Sequence, residues 1–220
     1  MSSISTNGIL ASNRKDFKVG VLNEKTVKRN PFDQFDLWLK EAFEVDKDYA
    51  NAMVLSTVDI NLMPDSRVVL LKNIDYNGLT FFTNYNSKKG HDIKMNPTAA
   101  VLFFWKELQR QVRIQGRLEA LPIEISDDYF ESRPFESKVG ACISNQSEPV
   151  KGRKVVDSLF QKALKDLKSK KVMRPKHWGG YILIPSKFEF WQGRSDRLHD
   201  RLQFELDWNK EKWSIQRLMP

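Results

Sequence analysis

Ser66-Arg67-Val68-Val69-Leu70-Leu71-Lys72-Asn73-Ile74-Asp75-Tyr76-Asn77-Gly78-Leu79-Thr80-Phe81-Phe82-Thr83 is the stretch whose reading decides the fold. Residues 66–74, rich in Val and Leu, and residues 79–83, rich in Phe and Thr, are strand sequences. Asn77-Gly78 between them is a strong hairpin signal. Upstream, residues 52–58 read as a strand and residues 59–64 as the connection leading on. Downstream, residues 87–96 form a short helix stopped by Pro97, and residues 98–105 and 108–121 are two more long strands. In the second of these, Gln109, Gln111, Arg113 and Gln115 alternate with Leu108, Arg110, Val112 and Ile114, so one face is polar. Further strands fall at residues 179–185, 187–192, 197–207 and 212–218, the last pair joined by a turn at 208–211.

Helices punctuate this run. Asn30 as cap and Pro31 at the first helical position open one. Its apolar stripe is Phe32, Phe35, Leu37, Trp38, Leu39, Ala42 and Phe43, and it ends near Asp46. Pro122 opens a helix carrying Tyr129 and Arg133, and residues 134–144 form another. Residues 151–171 form a long charged helix with Val155, Leu159, Phe160, Ala163, Leu164 and Leu167 inward. The expected class is mainly β with peripheral helices, a small closed barrel. Strands and helices do not alternate regularly and no Gly-rich strand-to-helix turn occurs, which argues against a parallel α/β fold. Residues 1–29, with Arg14, Lys15, Lys18, Lys25, Lys28 and Arg29, read as a mobile basic arm, and residues 30–220 as one domain.

With 40% hydrophobic and 29% charged residues among 220, the chain buries a real core, which excludes wholesale disorder. The longest apolar run, residues 99–105, is far short of the ~20 residues of a membrane helix. Residues 1–20 contain no apolar stretch of signal-peptide type. The lone Cys142 forms no intrachain disulfide, and no Cys/His cluster has zinc-ligand spacing. The expectation is a cytoplasmic protein, without membrane or structural metal.

Thirty-six Lys+Arg against 28 Asp+Glu give a net charge of +8, which attracts anions. Four places concentrate cations. Arg67 and Lys72 end one strand; their odd separation puts them on opposite faces unless the strand twists or bulges. Ser87-Lys88-Lys89 opens a helix, either as a phosphate seat built on free N–H groups or as a capping serine beside solvated lysines. Tyr129, Arg133 and Ser137 suit a phosphate monoester, or Tyr129 and Arg133 make an ordinary surface contact. If residues 197–201 are extended, Arg197, His199 and Arg201 project from one face, and such a row calls for an anion. Residues 151–176 hold ten Lys/Arg and two acids. Phe160, on the apolar stripe, is the single aromatic residue among these lysines, and a single-strand nucleic-acid platform requires a series of them.

Taken in order, several segments resemble the pyridoxamine 5′-phosphate oxidase family. They are Arg67-Val68-Val69-Leu70-Leu71-Lys72, Ser87-Lys88-Lys89, Arg110-Gln111-Val112, Tyr129-Phe130-Glu131-Ser132-Arg133-Pro134, Gln146-Ser147, Trp178-Gly179-Gly180, Phe190-Trp191-Gln192-Gly193, Arg197-Leu198-His199-Asp200-Arg201 and Arg217-Leu218-Met219-Pro220. The resemblance runs from about residue 30 to the end and implies a split β-barrel binding flavin mononucleotide (FMN). It also implies a homodimer with the flavin at the subunit interface, closed by residues around Gln146, Trp191 and Arg201 of the partner. By resemblance the flavin contacts are Arg67, Lys72, Phe82, Thr83, Lys88, Lys89, Gln111, Gln146, Ser147, Trp191 and Arg201. The substrate contacts are Lys72, Tyr129, Arg133, Ser137, Arg197 and His199, with Arg14 from the arm, and Arg197 and His199 are the catalytic pair. Two departures stand out: Phe17 replaces the Tyr usual three residues after Arg14, and Lys88 replaces the usual Arg.

The activity implied is oxidation of pyridoxamine or pyridoxine 5′-phosphate to pyridoxal 5′-phosphate, with O2 as acceptor giving H2O2. A flavin reductase of the same barrel type has no reason to keep Tyr129, Arg133 and Ser137. A non-catalytic pyridoxal-phosphate binder needs no flavin.

Overall fold

A computed structural model describes Phe17 and residues 19–220. The chain divides into two compact units: one of residues up to Lys47, Phe104–Val112 and Phe188–Pro220, the other of Asp48–Phe103 and Arg113–Lys187.

Strands β1 (Ala52–Val58), β2 (Pro64–Leu70), β3 (Asn73–Asp75), β4 (Gly78–Asn84), β5 (Thr98–Trp105), β6 (Arg110–Ala120) and β7 (Trp178–Gln192) follow the sheet order β2-β1-β5-β6-β7-β4-β3; β1 to β4 lie wholly in the second unit, and β5, β6 and β7 each have one end in the first. The two ends of that path, β2 and β3, are separated in the chain by only Leu71 and Lys72. Leu71 N–H donates to Asn51 O on the β1 side, whereas Lys72 N–H donates to Thr80 O on β4. The sheet therefore curls until its first and last strands nearly meet, yet no ladder joins them. It is a split barrel rather than the closed one expected from the strand pattern. The same switch of partner breaks the strand expected at 66–74 into β2 and β3. At the turn, an added Cβ on Gly78, whose φ is 155°, would press into the Leu183 carbonyl.

Helix α1 (Pro31–Val45) belongs to the first unit. The Asn30 Oδ1 accepts from Phe32 N–H at 2.9 Å, and Pro31 needs no partner. Phe32, Phe35, Trp38, Leu39 and Ala42 are buried. Phe32 packs edge-on against Phe188, Trp38 against Phe190, and Phe35 meets Trp105. Leu37 and Phe43, expected in this stripe, are exposed. Leu22 and Val27 are buried within residues 19–29, where a mobile basic arm was expected, because these apolar side chains gain by leaving water. Strands β8 (Asp200–Asp207) and β9 (Lys212–Arg217) pair antiparallel here.

The second unit carries helices α2 (Lys88–Met95), α3 (Ile123–Glu131), α4 (Phe135–Ile143) and α5 (Arg153–Leu167). No residue of α5 is buried, and Val155 and Leu159, expected inward, are exposed. Amphipathic spacing marks a face, but a partner must cover it for burial. Among the described residues, no helix is long and apolar enough to cross a membrane.

Candidate active site

The second unit contains a cavity of about 1070 Å³. Eleven residues singled out in the sequence line it: Arg67, Lys72, Phe82, Thr83, Lys88, Lys89, Tyr129, Arg133, Ser137, Gln146 and Ser147. The strand break at Leu71 and Lys72 removes the parity objection, since Arg67 and Lys72 no longer share one ladder.

One side of the cavity is built around Ser87, the cap of α2. Its Oγ accepts from Gly90 N–H at 3.3 Å and donates to Asn84 O at 2.7 Å. Ser147, held at φ 77°, turns its Oγ to accept from Lys88 N–H at 3.2 Å. Serines thus satisfy two of the first-turn N–H groups of α2, so the seat is made of side-chain cations more than of free amides. Lys89 is buried and its Nζ donates only to neutral oxygens, Ser87 Oγ at 3.1 Å and Gln146 Oε1 at 3.0 Å. Burial, then the Arg67 charge, pulls the Lys89 ammonium below its usual pKa. Arg67 Nη1 donates to Thr57 Oγ1 at 2.8 Å and Leu55 O at 3.2 Å. Its Nη2 stands 2.7 Å from Asp65 Oδ2 but off the hydrogen-bond direction. Asp92 is buried, accepts from Thr57 Oγ1 at 2.8 Å, and pairs with Lys88 Nζ at 3.2 Å.

The other side is aromatic and cationic. Tyr129 stacks on Phe82 with centroids 3.8 Å apart, and Phe82 stacks on Trp178 at 5.6 Å. Arg133, which falls just beyond the end of α3 rather than within it, lays its guanidinium over the Trp178 ring at 4.6 Å. The Arg133 Nη1 is buried with no hydrogen-bond partner, and burial lowers the pKa of the group. A half-buried cation with one buried, unfilled donor is costly unless an anion completes it. Ser137 lies one turn into α4.

Gln111, Trp191, Arg197, His199 and Arg201 belong to the first unit. Gln111 is half-buried on β6. The extended row expected from Arg197 onward is not formed. Ser195–Arg197 is a 3-10 turn, closed by Leu198 N–H on Ser195 O, with Asp196 and Arg197 at positive φ. The strand begins only at Asp200. Arg194 N–H donates to His199 Nδ1 at 3.1 Å, which leaves the imidazole proton on Nε2. Burial, then the Arg197 charge, lowers the His199 pKa and keeps the ring neutral. Phe17 meets both Trp191 and His199 edge-on, at 5.7 and 5.4 Å. Arg201 Nε donates to the buried Glu189 at 2.9 Å, and its Nη1 to Met219 O at 2.7 Å. Arg14 lies outside the described residues.

Asp200 and Arg217 tie residues 22–24 down in this unit. Leu22 N–H donates to Asp200 Oδ2 at 3.1 Å, and Arg217 bridges Asp200, Leu22 O and Glu24. The Arg217 guanidinium holds the Glu24 carboxyl down to about 2 from 4.5. The folded pKa is depressed, so this tie is complete above pH 4.5 and is lost as pH falls toward 2. Hydrogen exchange should show the Leu22 amide losing protection across that window, and Arg217→Ala should lose it already near neutrality. Both ion-pair partners are partly exposed, so added salt should weaken the tie as well.

The sequence reading missed Asp65, Asp92 and Thr57, which organise the cations, and Trp178, which carries Arg133. The spacing of Lys88 and Asp92, one helical turn apart, was a legible signal; the Thr57 contact was not.

Residues 39–164 match the family model for pyridoxamine 5′-phosphate oxidase, and residues 178–220 match that for the pyridoxine 5′-phosphate oxidase C-terminal dimerisation region. The chain is 46% identical over 211 residues to a pyridoxine/pyridoxamine 5′-phosphate oxidase of Trichormus variabilis, covering 96% of this chain and 98% of the relative. Among solved structures, PhzG from Burkholderia lata, in complex with tetrahydrophenazine-1-carboxylic acid, is similar with TM-score 0.84 and 28% identity over 92% of this chain and 99% of that one. A pyridoxamine 5′-phosphate oxidase-related, FMN binding protein from Nostoc punctiforme shares the fold, with TM-score 0.72 at 16% identity over 88% of this chain and all of that one. A split barrel with a doubly cationic cavity, matched by both family models along most of its length, belongs to the pyridoxamine 5′-phosphate oxidase family.

Proposed function

We propose that this protein oxidises pyridoxamine and pyridoxine 5′-phosphate to pyridoxal 5′-phosphate in the cytosol, using FMN, as a homodimer with FMN at the subunit interface. The observation that carries this reading is the presence of two separate cationic groups in one cavity, one of them the half-buried Arg133 with a buried, unfilled Nη1. Two phosphate monoesters have to be held, one on the cofactor and one on the substrate, and two such groups answer that need. The residues fit FMN: Lys89 is a buried cation without an acid of its own in hydrogen-bond contact, beside Arg67 and Lys88.

Arg67, Lys88 and Lys89 hold the FMN phosphate, with Gln146 and Ser147 beside them. Phe82, Thr83, Gln111, Trp191 and Arg201 make the remaining FMN contacts. Lys72, Tyr129, Arg133 and Ser137 hold the substrate phosphate. Arg197 and His199 hold the substrate ring; a neutral His199 donates through Nε2 and orients, and no obligatory base is required of it. Bound FMN supplies a two-electron acceptor that dioxygen regenerates, releasing hydrogen peroxide. The oxidised amine is hydrolysed to the aldehyde with loss of ammonia, and the alcohol gives the aldehyde directly.

The purified protein should be yellow and dimeric, and should form pyridoxal 5′-phosphate and hydrogen peroxide in equal amounts from pyridoxine 5′-phosphate and oxygen. Protein that stays colourless after incubation with FMN overturns the reading. Lys89→Ala should weaken FMN binding about tenfold or more, since a hydrogen bond to a charged group contributes roughly 1.5–3 kcal/mol. FMN fluorescence quenching measures this, and unchanged affinity would remove Lys89 from the seat. Because burial lowers the Lys89 pKa and a phosphate would raise it, FMN binding at alkaline pH should take up a proton. Calorimetry in buffers of different ionisation enthalpy reads that uptake.

A further inference from the structure

We propose that Asp65 is a built-in competitor for the cofactor phosphate, a carboxylate occupying the cationic seat that the incoming phosphate must displace. The inference rests on the FMN reading above and deepens it.

Two carboxylates face Arg67 and Lys88, and they differ in kind. Asp92 is 5% exposed, is fixed by the Thr57 hydroxyl at 2.8 Å, and pairs with Lys88 at 3.2 Å. It lies 3.9 Å from Arg67 Nη2 and belongs to the framework that aims the guanidinium. The Asp65 side chain is 39% exposed and lines the cavity itself. It stands 2.7 Å from Arg67 Nη2 and 3.6 Å from Lys88 Nζ, so it contacts two of the three cations assigned to the phosphate. Asp65 and Arg67 are two residues apart on β2, which puts both side chains on one face of an edge strand. The Arg67 Nη2 is buried and donates no well-directed hydrogen bond to Asp65. The pair is thus close in charge but poor in geometry, and a phosphate oxygen in line with that N–H makes the better bond.

A half-exposed aspartate on a short stem can swing to water when it is displaced, whereas the buried Asp92 cannot. Asp65 nevertheless remains near the seat, and its negative charge opposes a phosphate dianion a few ångströms away. Cofactor binding therefore proceeds against Asp65, and its charge sets how readily FMN leaves. In the seat itself, Arg67, Lys88 and Lys89 against Asp65 and Asp92 leave one net positive charge, and neutralising Asp65 doubles it.

The test is Asp65→Asn, nearly the same size without the charge, with Asp65→Ser as a second variant and melting curves confirming that both fold. FMN and riboflavin, which lacks the phosphate, are titrated into each apoprotein. Asp65→Asn should tighten FMN roughly five- to tenfold, a shift of about 1–1.4 kcal/mol, through slower dissociation, and leave riboflavin unchanged. Raising the salt concentration should shrink the gain. FMN affinity that is unchanged or weaker in both folded variants overturns the proposal, as does an equal tightening of riboflavin. Failure of the wild-type protein to bind FMN is a different result, and it removes the cofactor reading itself.

Discussion

Arg133→Ala is expected to raise the KM for pyridoxine 5′-phosphate by a hundredfold or more, while FMN affinity changes only about twofold. The guanidinium lies flat over Trp178 at 4.6 Å and reaches the cavity with Nη1 buried and partnerless. The Nη1 donor is already shielded from water in the folded protein, so a substrate phosphate accepts its hydrogen bond without stripping water from it. Each hydrogen bond to a charged group is worth roughly 1.5–3 kcal/mol, and two in a bidentate pair give the expected factor. Arg133→Lys should recover only a small part, because an ammonium neither stacks on Trp178 nor forms the paired fork. Steady-state kinetics with saturating FMN, set against FMN titrations, separates the two effects. A loss of FMN affinity as large as the rise in KM would place Arg133 at the cofactor instead. The variant should also be somewhat more stable than the parent, since it removes an unsatisfied buried donor.

Arg197→Ala is expected to lower turnover at saturating FMN on the order of a hundredfold, with FMN retained, because misplacing reacting atoms by ~1 Å costs about that much. The backbone argues for this role. Asp196 and Arg197 are both held at positive φ, 56° and 60°, where side chains other than glycine's are disfavoured. Strain of ~1 kcal/mol or more at such a residue persists only where the surroundings impose it. Here the turn projects an exposed cation close enough to His199 to depress its pKa. Arg201→Ala should show the opposite order, with FMN weakened first. Arg201 already pairs with the buried Glu189 at 2.9 Å, so its removal also takes a charged partner from a buried carboxylate and lowers the melting temperature. Equal loss of FMN from both variants, with full turnover restored by excess FMN, would assign the whole segment to the cofactor.

Much of this protein is local, and local features are legible in a sequence. Asn30-Pro31 caps α1, Ser87 caps α2, and Asn77-Gly78 turns β3 into β4, because caps and turns depend on a few neighbouring residues. The motif residues from Arg67 to Ser147 were legible too, through the family resemblance, where spacing alone left capping and ordinary surface contacts open. What the tertiary structure decided lies in long-range pairing. The break at Leu71 and Lys72 exists because Leu71 pairs with Asn51 and Lys72 with Thr80, two partners on different strands. No period-2 pattern records such a change of partner, and it is what opens the barrel and brings Arg67 and Lys72 to one cavity. The left-handed turn at Arg197 follows from hydrogen bonds of Leu198 to Ser195 and of Arg194 to His199, which override an alternating pattern that reads as strand. The exposed face of α5 shows the same limit from the other side: amphipathic spacing says which residues favour burial, and only packing says whether anything covers them. Composition and order thus determined the family, the charge and the element types. Three-dimensional contact alone decided which cations are paired, which are buried, and which keep an unfilled donor.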